Sequence, residues 1–263
     1  MEILSRKRSK NIEILKQVIY KKSKQVGMLD ILFEDDDLIV INKPAGVLSI
    51  PDRFGKTLSI KSLLQDKYGN IFTVHRLDQA TSGLIIFAKN AEAHKELSLL
   101  FEGRTIEKKY LGLVVGRPEQ SGSIDGSIME HPVKKGQMYI HVKGKVALTT
   151  YDVVTYYKRY ALVSFQIHTG RTHQIRVHAK HMGHPIIVDE IYGDGEKLLL
   201  SNIKKKNFKL SKSEEEEKPL LARHALHAHT LKLVFKEKAF AFEAPLPKDL
   251  AATIKQLDKW NAA

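Results

Sequence analysis

Between residues 109 and 178 the chain runs as short β-branched and aromatic stretches separated by glycine, at 110–115, 138–142, 149–155 and 161–168. Side chains of this kind fit a pleated, half-buried surface, and stretches this short end at turn residues before a helix could establish itself. Such a chain has to fold around a sheet. Further strands are expected at 31–33 and 38–41, on either side of the acidic turn 34–37, and at 72–77 and 84–89, while 231–235 with 239–242 read as a closing hairpin. Helical spacing is confined to a few places. Residues 58–68 carry apolar side chains at 60, 63, 64 and 68 and stop at Gly69-Asn70, and 91–101, 173–181 and a segment from Lys248 complete the set. Many strands and few helices predict an α+β fold built on a large mixed, mainly antiparallel sheet with flanking helices and loops. No internal repeat is present, which argues against a solenoid or a propeller.

With 263 residues the chain can bury a sizeable core, and one catalytic domain over 29–263 with a short appendage is the economical division. Residues 1–28 hold eight Lys/Arg and two Glu, a local charge of 8 − 2 = +6, with Ile12, Leu15 and Ile19 spaced for one helical face, and are expected to form a basic arm or helix. Residues 196–219 contain Lys204-Lys205-Lys206 and a run of glutamates from Glu214 to Glu217, and read as a solvated insertion. No apolar run reaches the roughly 20 residues of a spanning helix. The basic N-terminus lacks the apolar block of a secretory signal, so a cytoplasmic location is expected. The absence of cysteine excludes disulfides, thiolate nucleophiles and thiolate zinc sites. The formal charge of 43 − 30 = +13 suits a polyanionic partner, although a basic protein that is merely soluble would show it too.

The most informative segment is Thr73-Val74-His75-Arg76-Leu77-Asp78-Gln79-Ala80-Thr81-Ser82-Gly83-Leu84. A strand ends in a cation and a carboxylate, and a Thr-Ser-Gly turn returns the chain into an apolar strand. A loop tip of that construction projects an acid from a rigid base. The plain alternative is that Asp78 only caps the turn through the backbone of Thr81 or Ser82. A second cluster is Gly170-Arg171-Thr172-His173-Gln174-Ile175-Arg176-Val177-His178. On a helix His173, Arg176 and Lys180 would share a face and suit phosphate oxygens, whereas Arg176 turned inward could pair with a carboxylate, and a solvated basic helix is the plain alternative.

Taken together these segments resemble the RluA-type pseudouridine synthases. The loop His75-Arg76-Leu77-Asp78 with Thr81-Ser82-Gly83 is similar to the family's catalytic signature, and residues 170–178 to its second. Lys108-Lys109-Tyr110, Asn42-Lys43-Pro44-Ala45-Gly46 and Leu226-His227-Ala228 match further motifs in the family's order, so the likeness spans 29 to about 247. The resemblance implies isomerisation of uridine in RNA, ribosomal or transfer, with no metal and no cofactor. Asp78 would be the catalytic carboxylate, attacking C1′ or removing the C2′ proton. Tyr110 would pack on the detached uracil, with proton transfer as a second role open to its hydroxyl, and Arg176 would pair with Asp78 and keep an acid beside an apolar base pocket ionised. Substrate contacts are expected from His75, Arg76, Thr81, Arg171, His173 and Leu226. Many members carry an extra N-terminal RNA-binding domain of the S4 type, for which 28 residues are too few; a monomer acting on structured RNA, away from any membrane, is expected.

Two readings from other classes compete. His168, His173, His178, His181 and His184 are dense enough to suggest a metal-dependent hydrolase, but their spacing matches no standard zinc signature. A catalytically silent RNA-binding module would explain the charge, yet it has no use for a carboxylate that repels phosphate.

Overall fold

A computed structural model describes residues 29–55, 57–204, 208 and 216–262. The expected basic arm at 1–28 lies outside the described residues, as do 205–207 and 209–215 of the expected insertion. In chain order the elements are β1 (Asp30–Glu34), β2 (Leu38–Lys43), α1 (Ile60–Tyr68), β3 (Phe72–Thr73), β4 (Ser82–Ala88), α2 (Ala91–Glu102) and β5 (Glu107–Val115). They continue with β6 (Ser121–Asp125), β7 (Ile128–Glu130), β8 (Met138–Ile140), β9 (Leu148–Tyr156), β10 (Tyr160–Ile167) and α3 (Gln174–His181). The chain ends in α4 (Leu200–Lys204), β11 (Leu226–Phe235), β12 (Lys238–Glu243) and α5 (Lys248–Trp260).

The strands form a 10-stranded sheet in the order β1-β2-β4-β11-β5-β10-β9-β6, with β12 added to β11 and β3 to β4. This is an α+β fold on a large mixed, mainly antiparallel sheet. Its most deeply buried strand is β4, buried at every position because its Leu-Ile-Ile-Phe run is covered on both faces. β11 divides its edge: Leu226 to Ala228 lie beside β4 and β5, and from Thr230 onward β12 replaces β4. The β4–β11 contact is parallel and pairs Ser82 with His227 and Gly83 with Ala228. It requires glycine, since a Cβ on Gly83, whose φ is +108°, would lie 2.1 Å from the Ala228 carbonyl oxygen. The Thr-Ser-Gly turn therefore ends where the two halves of the sheet meet.

A separate β7–β8 hairpin packs Ile128 with Ala147, Val177 and Tyr192, and so covers α3 from the outside. Helix α5 buries Leu250, Thr253 and Leu257, and Tyr157 donates to Asp258 at 2.7 Å to close that end of the domain. Among the described residues no helix is long and apolar enough to cross a membrane.

Several expectations are corrected. The strand expected at 72–77 is paired only over Phe72–Thr73. Beyond it side chains replace the ladder: the Ile86 N–H donates to His75 Nε2 at 2.9 Å, and Ser49 Oγ bonds both the N–H and the carbonyl of Leu77. His173 is not on the helix but at its N-cap, left-handed at φ 55°, and residues 174–179 behind it are all buried. The donor face expected from His173, Arg176 and Lys180 does not exist, because Arg176 is buried and Lys180 is exposed. The segment 196–219 is not solvated throughout: Leu198 pairs with Leu221, and both are buried together with Ile203. Strands β6 (Ser-Gly-Ser-Ile-Asp) and β7 (Ile-Met-Glu) lie outside the stretches expected from β-branched and aromatic composition.

Candidate active site

The loop between β3 and β4 is irregular and yet fixed from several sides. Lys43, fully buried at the end of β2, donates to the carbonyls of Pro44, Val47 and Gln79 at 2.8–3.0 Å, which engages every N–H of an ammonium group. Burial and the nearby Arg223 charge push its pKa down to about 7. Arg223 donates to the Ala80 carbonyl at 3.0 Å while its other nitrogens bind Asp249 of α5 at 2.7 and 3.0 Å. Thr81 Oγ1 bonds His224 Nε2 at 2.8 Å, and Ser82 Oγ bonds His227 Nδ1 at 3.0 Å. Burial lowers both of these histidines to about 4, so they serve here as neutral rings.

Asp78 stands at the tip of this loop. Its Oδ2 accepts from Arg176 Nη1 at 2.9 Å and has His173 Nε2 at 3.7 Å. Its side chain does not cap the turn; the Thr81 N–H bonds the Asp78 backbone carbonyl instead. Arg176 in turn binds the fully buried Asp189 through Nε and Nη2, at 2.7 and 2.9 Å. Burial works against the charge on both partners. The Asp189 hydrogen bonds and charge more than offset it for Arg176, whose pKa is raised, and Arg176 with the N–H groups of Tyr192 and Ile191 holds Asp189 below the usual carboxylate range.

Two residues in the left-handed region flank this pair. His173 (φ 55°) opens α3 and Val188 (φ 59°) immediately precedes Asp189. Such a conformation is strained for a β-branched residue, and persists where the surroundings dictate it. Tyr192 Oη accepts from the Met138 N–H at 2.8 Å, which leaves its proton for His173 Nδ1, also at 2.8 Å, and puts the imidazole hydrogen on Nε2, toward Asp78. Burial pushes the Tyr192 hydroxyl up to about 12 and lowers His173 against the pull of Asp78.

Asp78 opens into a cavity of about 510 Å³ whose floor and walls include Tyr110, Ile167 and Leu226. Tyr110 projects from β5, where alternation puts it on the same face as Lys108, and burial followed by the Asp78 charge raises its phenol well above the ordinary value. Leu226, the first residue of β11, is buried. The structure thus brings Asp78, Tyr110, Arg176 and Leu226 to one cavity, with His173 and Thr81 on its lining. Arg76 and Arg171 also line it; Arg171 is held by the Val146 carbonyl at 3.0 Å, and Arg76 is exposed. His75 contributes a ring that stacks on Phe101 at 4.6 Å, with Nε2 already engaged by the Ile86 N–H and a pKa lowered to about 3 by burial, so the neutral ring carries its proton on Nδ1, the one polar group it has left for a ligand.

The dense histidines disperse to separate partners: His168 to Thr150, His178 to Thr149 and Gly126, and His184 to the Val115 carbonyl. Sequence reasoning missed Asp189, Tyr192, Arg223, His224 and the burial of Lys43. A signal existed for one of them, since Asp189 follows Ile186-Ile187-Val188 directly, where an acid ends an apolar run.

The model of the RNA pseudouridylate synthase family matches residues 37–181. The ribosomal large subunit pseudouridine synthase D of Buchnera aphidicola subsp. Acyrthosiphon pisum is 36% identical over 84% of this chain and 71% of its own length. The protein named uncharacterized RNA pseudouridine synthase YhcT of Bacillus subtilis is 34% identical over 86% of this chain and 70% of its own. Among solved structures, human RNA pseudouridylate synthase domain containing 4 superposes with a TM-score of 0.72 at 26% identity, covering 91% of this chain and 98% of that one. The chain belongs to the RluA-type RNA pseudouridine synthases, isomerases that act on RNA.

Proposed function

We propose that the enzyme isomerises uridines of ribosomal RNA, with Asp78 as the catalytic carboxylate. The observation that carries this reading is the placement of Asp78: one oxygen is held by Arg176 at 2.9 Å while the side chain keeps 23% of its surface open to the cavity that Tyr110 and Leu226 line. An anion facing the apolar wall of a cavity large enough for a nucleotide suits a reaction in which the N1–C1′ bond breaks and a C5–C1′ bond forms. Asp78 either adds to C1′ as the uracil leaves, or removes the C2′ proton to give a glycal. In both routes the uracil turns before C5 bonds to C1′; the Asp78–C1′ bond breaks at that step in the first route and Asp78 returns the proton to C2′ in the second, after which the C5 proton is lost and N1 regains one.

Tyr110 serves as a stacking surface for the detached uracil. Its raised pKa keeps the phenol protonated, so it donates a hydrogen bond to the base and does not act as a phenolate. Arg176 orients the carboxylate and balances its charge, and Leu226 and Ile167 form the apolar wall. Ribosomal RNA is favoured as the substrate, and a cytoplasmic location with it, because relatives carry the name ribosomal large subunit pseudouridine synthase D. Transfer RNA is the second candidate.

The test is carbodiimide mapping of pseudouridines in ribosomal and transfer RNA from cells lacking the gene, complemented with the wild type or with Asp78→Asn. The reading expects sites that vanish on deletion and return only with the wild type. Return of the same sites with Asp78→Asn, or their absence from both RNA classes, overturns it.

A further inference from the structure

The cavity has a wall that the mechanism above does not use, built from the end of α2 and the beginning of β5. Lys108, Arg104 and Phe101 belong to it, with Glu102 its acid. Lys108 is buried, yet among the described residues no carboxylate lies within ion-pair distance of it. Its neighbour Glu107 is committed elsewhere, to Lys232 at 3.2 Å and Lys109 at 3.8 Å. The Lys108 ammonium instead sits over the Phe101 ring, 5.2 Å from the centroid, and Phe101 is itself fixed by its stack on His75. Burial lowers the pKa of Lys108, as expected of a cation whose counter-charge is missing. Burial lowers Lys43, the other buried lysine, as well, but its geometry differs: all three of its N–H groups meet protein carbonyls, whereas Lys108 has no hydrogen-bond acceptor among the described residues.

Arg104 carries an independent mark. It follows Gly103, the C-cap of α2, and adopts φ +58°, the conformation that glycine or asparagine normally supplies after a helix. An arginine there is strained, and its side chain lines the cavity without an ion pair among the described residues. Fold stability alone would be served better by glycine. Arg76, from the catalytic loop, adds a further cation to the same cavity.

We propose that Lys108 and Arg104 form a binding site for a phosphodiester of the RNA strand next to the target uridine. The proposal rests on the uridine reading of the cavity. A nucleotide whose C1′ stands at Asp78 carries a phosphate on each side, and at least one must pass the cavity wall. Bound uracil is neutral and takes on charge only as the N1–C1′ bond breaks, whereas a phosphodiester supplies the missing charge throughout binding, and a planar guanidinium with an ammonium meets two of its oxygens.

The test uses the full chain and a short RNA stem-loop around a uridine that the wild type is first shown to convert. Arg104→Gly removes the side chain while relieving the backbone, so its melting temperature should hold or rise. Its RNA affinity should fall, and the slope of log affinity against log salt should decrease by about one. Lys108→Met, which keeps the length of the buried stem, should do the same. A stem-loop with a neutral methylphosphonate at one flanking linkage should bind the wild type as weakly as the normal RNA binds Arg104→Gly, and that variant should lose nothing more. Unchanged affinity and salt slope in both variants, or additive losses at both linkages, overturn the phosphate site while wild-type conversion stands. A Lys108→Met enzyme that binds RNA normally but turns over slowly at saturation also overturns it, since Lys108 then touches the base. Failure of the wild type to convert uridine in any ribosomal or transfer RNA removes the underlying reading instead.

Discussion

Arg176 reaches Asp78 through Nη1 alone, at 2.9 Å, because its Nε and Nη2 are already bound to Asp189. The two carboxylates differ in exposure: Asp189 is wholly buried and Asp78 is open to the cavity. Asp189 therefore fixes the guanidinium, and the guanidinium presents one N–H to the acid that faces substrate. Asp189→Asn leaves Arg176 buried with its anchor uncharged, and breaking a buried pair in this way costs on the order of 3 kcal/mol. Urea unfolding should show that loss, together with a reduced kcat as Arg176 shifts toward Asp78. A variant with wild-type stability and turnover would mean that the anchoring is dispensable.

Asp78→Asn tests the other end of the relay. The amide keeps the shape of the side chain but is neither a nucleophile nor a base, so turnover should disappear while RNA binding persists. Because Asp78 is partly exposed and Arg176 keeps Asp189, the change in melting temperature should be small. Residual activity within about tenfold of wild type would remove Asp78 from the essential role.

How much of this could be read in the sequence differs between the parts. The strands with unbroken apolar runs, such as 38–41 and 84–88, were legible because both faces of β2 and β4 are buried. The stretch 72–77 misled, since Phe72, Thr73 and Val74, with Leu77 beyond them, have the composition of a strand. Their hydrogen bonds go to Ser49 Oγ and to the Ile86 N–H through His75, contacts between segments distant in sequence that no local pattern announces. Arg176 was legible as a candidate partner of Asp78. Asp189 left only the trace of an acid closing an apolar run and Tyr192 none, because their roles depend on the left-handed backbone at Val188 and on β8 closing over α3.

Gly83→Ala tests the junction of the sheet halves. The added methyl would meet backbone atoms of Ala228, the nearest at 2.1 Å, and backbone there cannot yield without breaking the parallel contact between β4 and β11. Overpacking and the positive φ together predict a loss on the order of 3 kcal/mol or more. Activity should fall further than stability explains, since Ser82 and Thr81 tether the catalytic loop from the same turn. A melting temperature within a degree or two of wild type would contradict the close approach.

The buried histidines set the response to acid. Burial lowers His75 to about 3 and His224 and His227 to about 4, from the ordinary 6.5. The unfolded chain binds their protons as pH falls below about 6.5, and the folded chain does not until about 4. Their contribution is therefore fully present above about 6.5 and is lost on acidification, each ring adding a slope of up to about 1.4 kcal/mol per pH unit. Stability measured between about pH 6 and 5 should decline with uptake of more than one proton per molecule, and His227→Asn should make the decline shallower. Stability independent of pH over that interval would contradict the buried neutral rings.

Arg76 lies two residues before Asp78, and a uracil stacked in a helix cannot present C1′ and C5 to that acid until the nucleotide is turned outward, at a cost of a few kcal/mol in stacking and pairing. Something has to fill the gap. The segment is not an extended strand, so side-chain alternation gives no reason for Arg76 and Asp78 to share a face. What links them is that both line the same cavity, and that Arg76 is exposed at it with no ion pair among the described residues. A guanidinium free of internal partners can stack on neighbouring bases while it bonds to a phosphate. If Arg76 supports the flipped state, Arg76→Ala should slow conversion on a structured stem-loop far more than on a flexible single strand with the same uridine, because only the former has stacking to replace. Parallel measurement of kcat/KM on both RNAs, with melting temperature as a control for folding, decides the point. Equal losses on the two substrates at unchanged melting temperature would reduce Arg76 to a general contact with RNA.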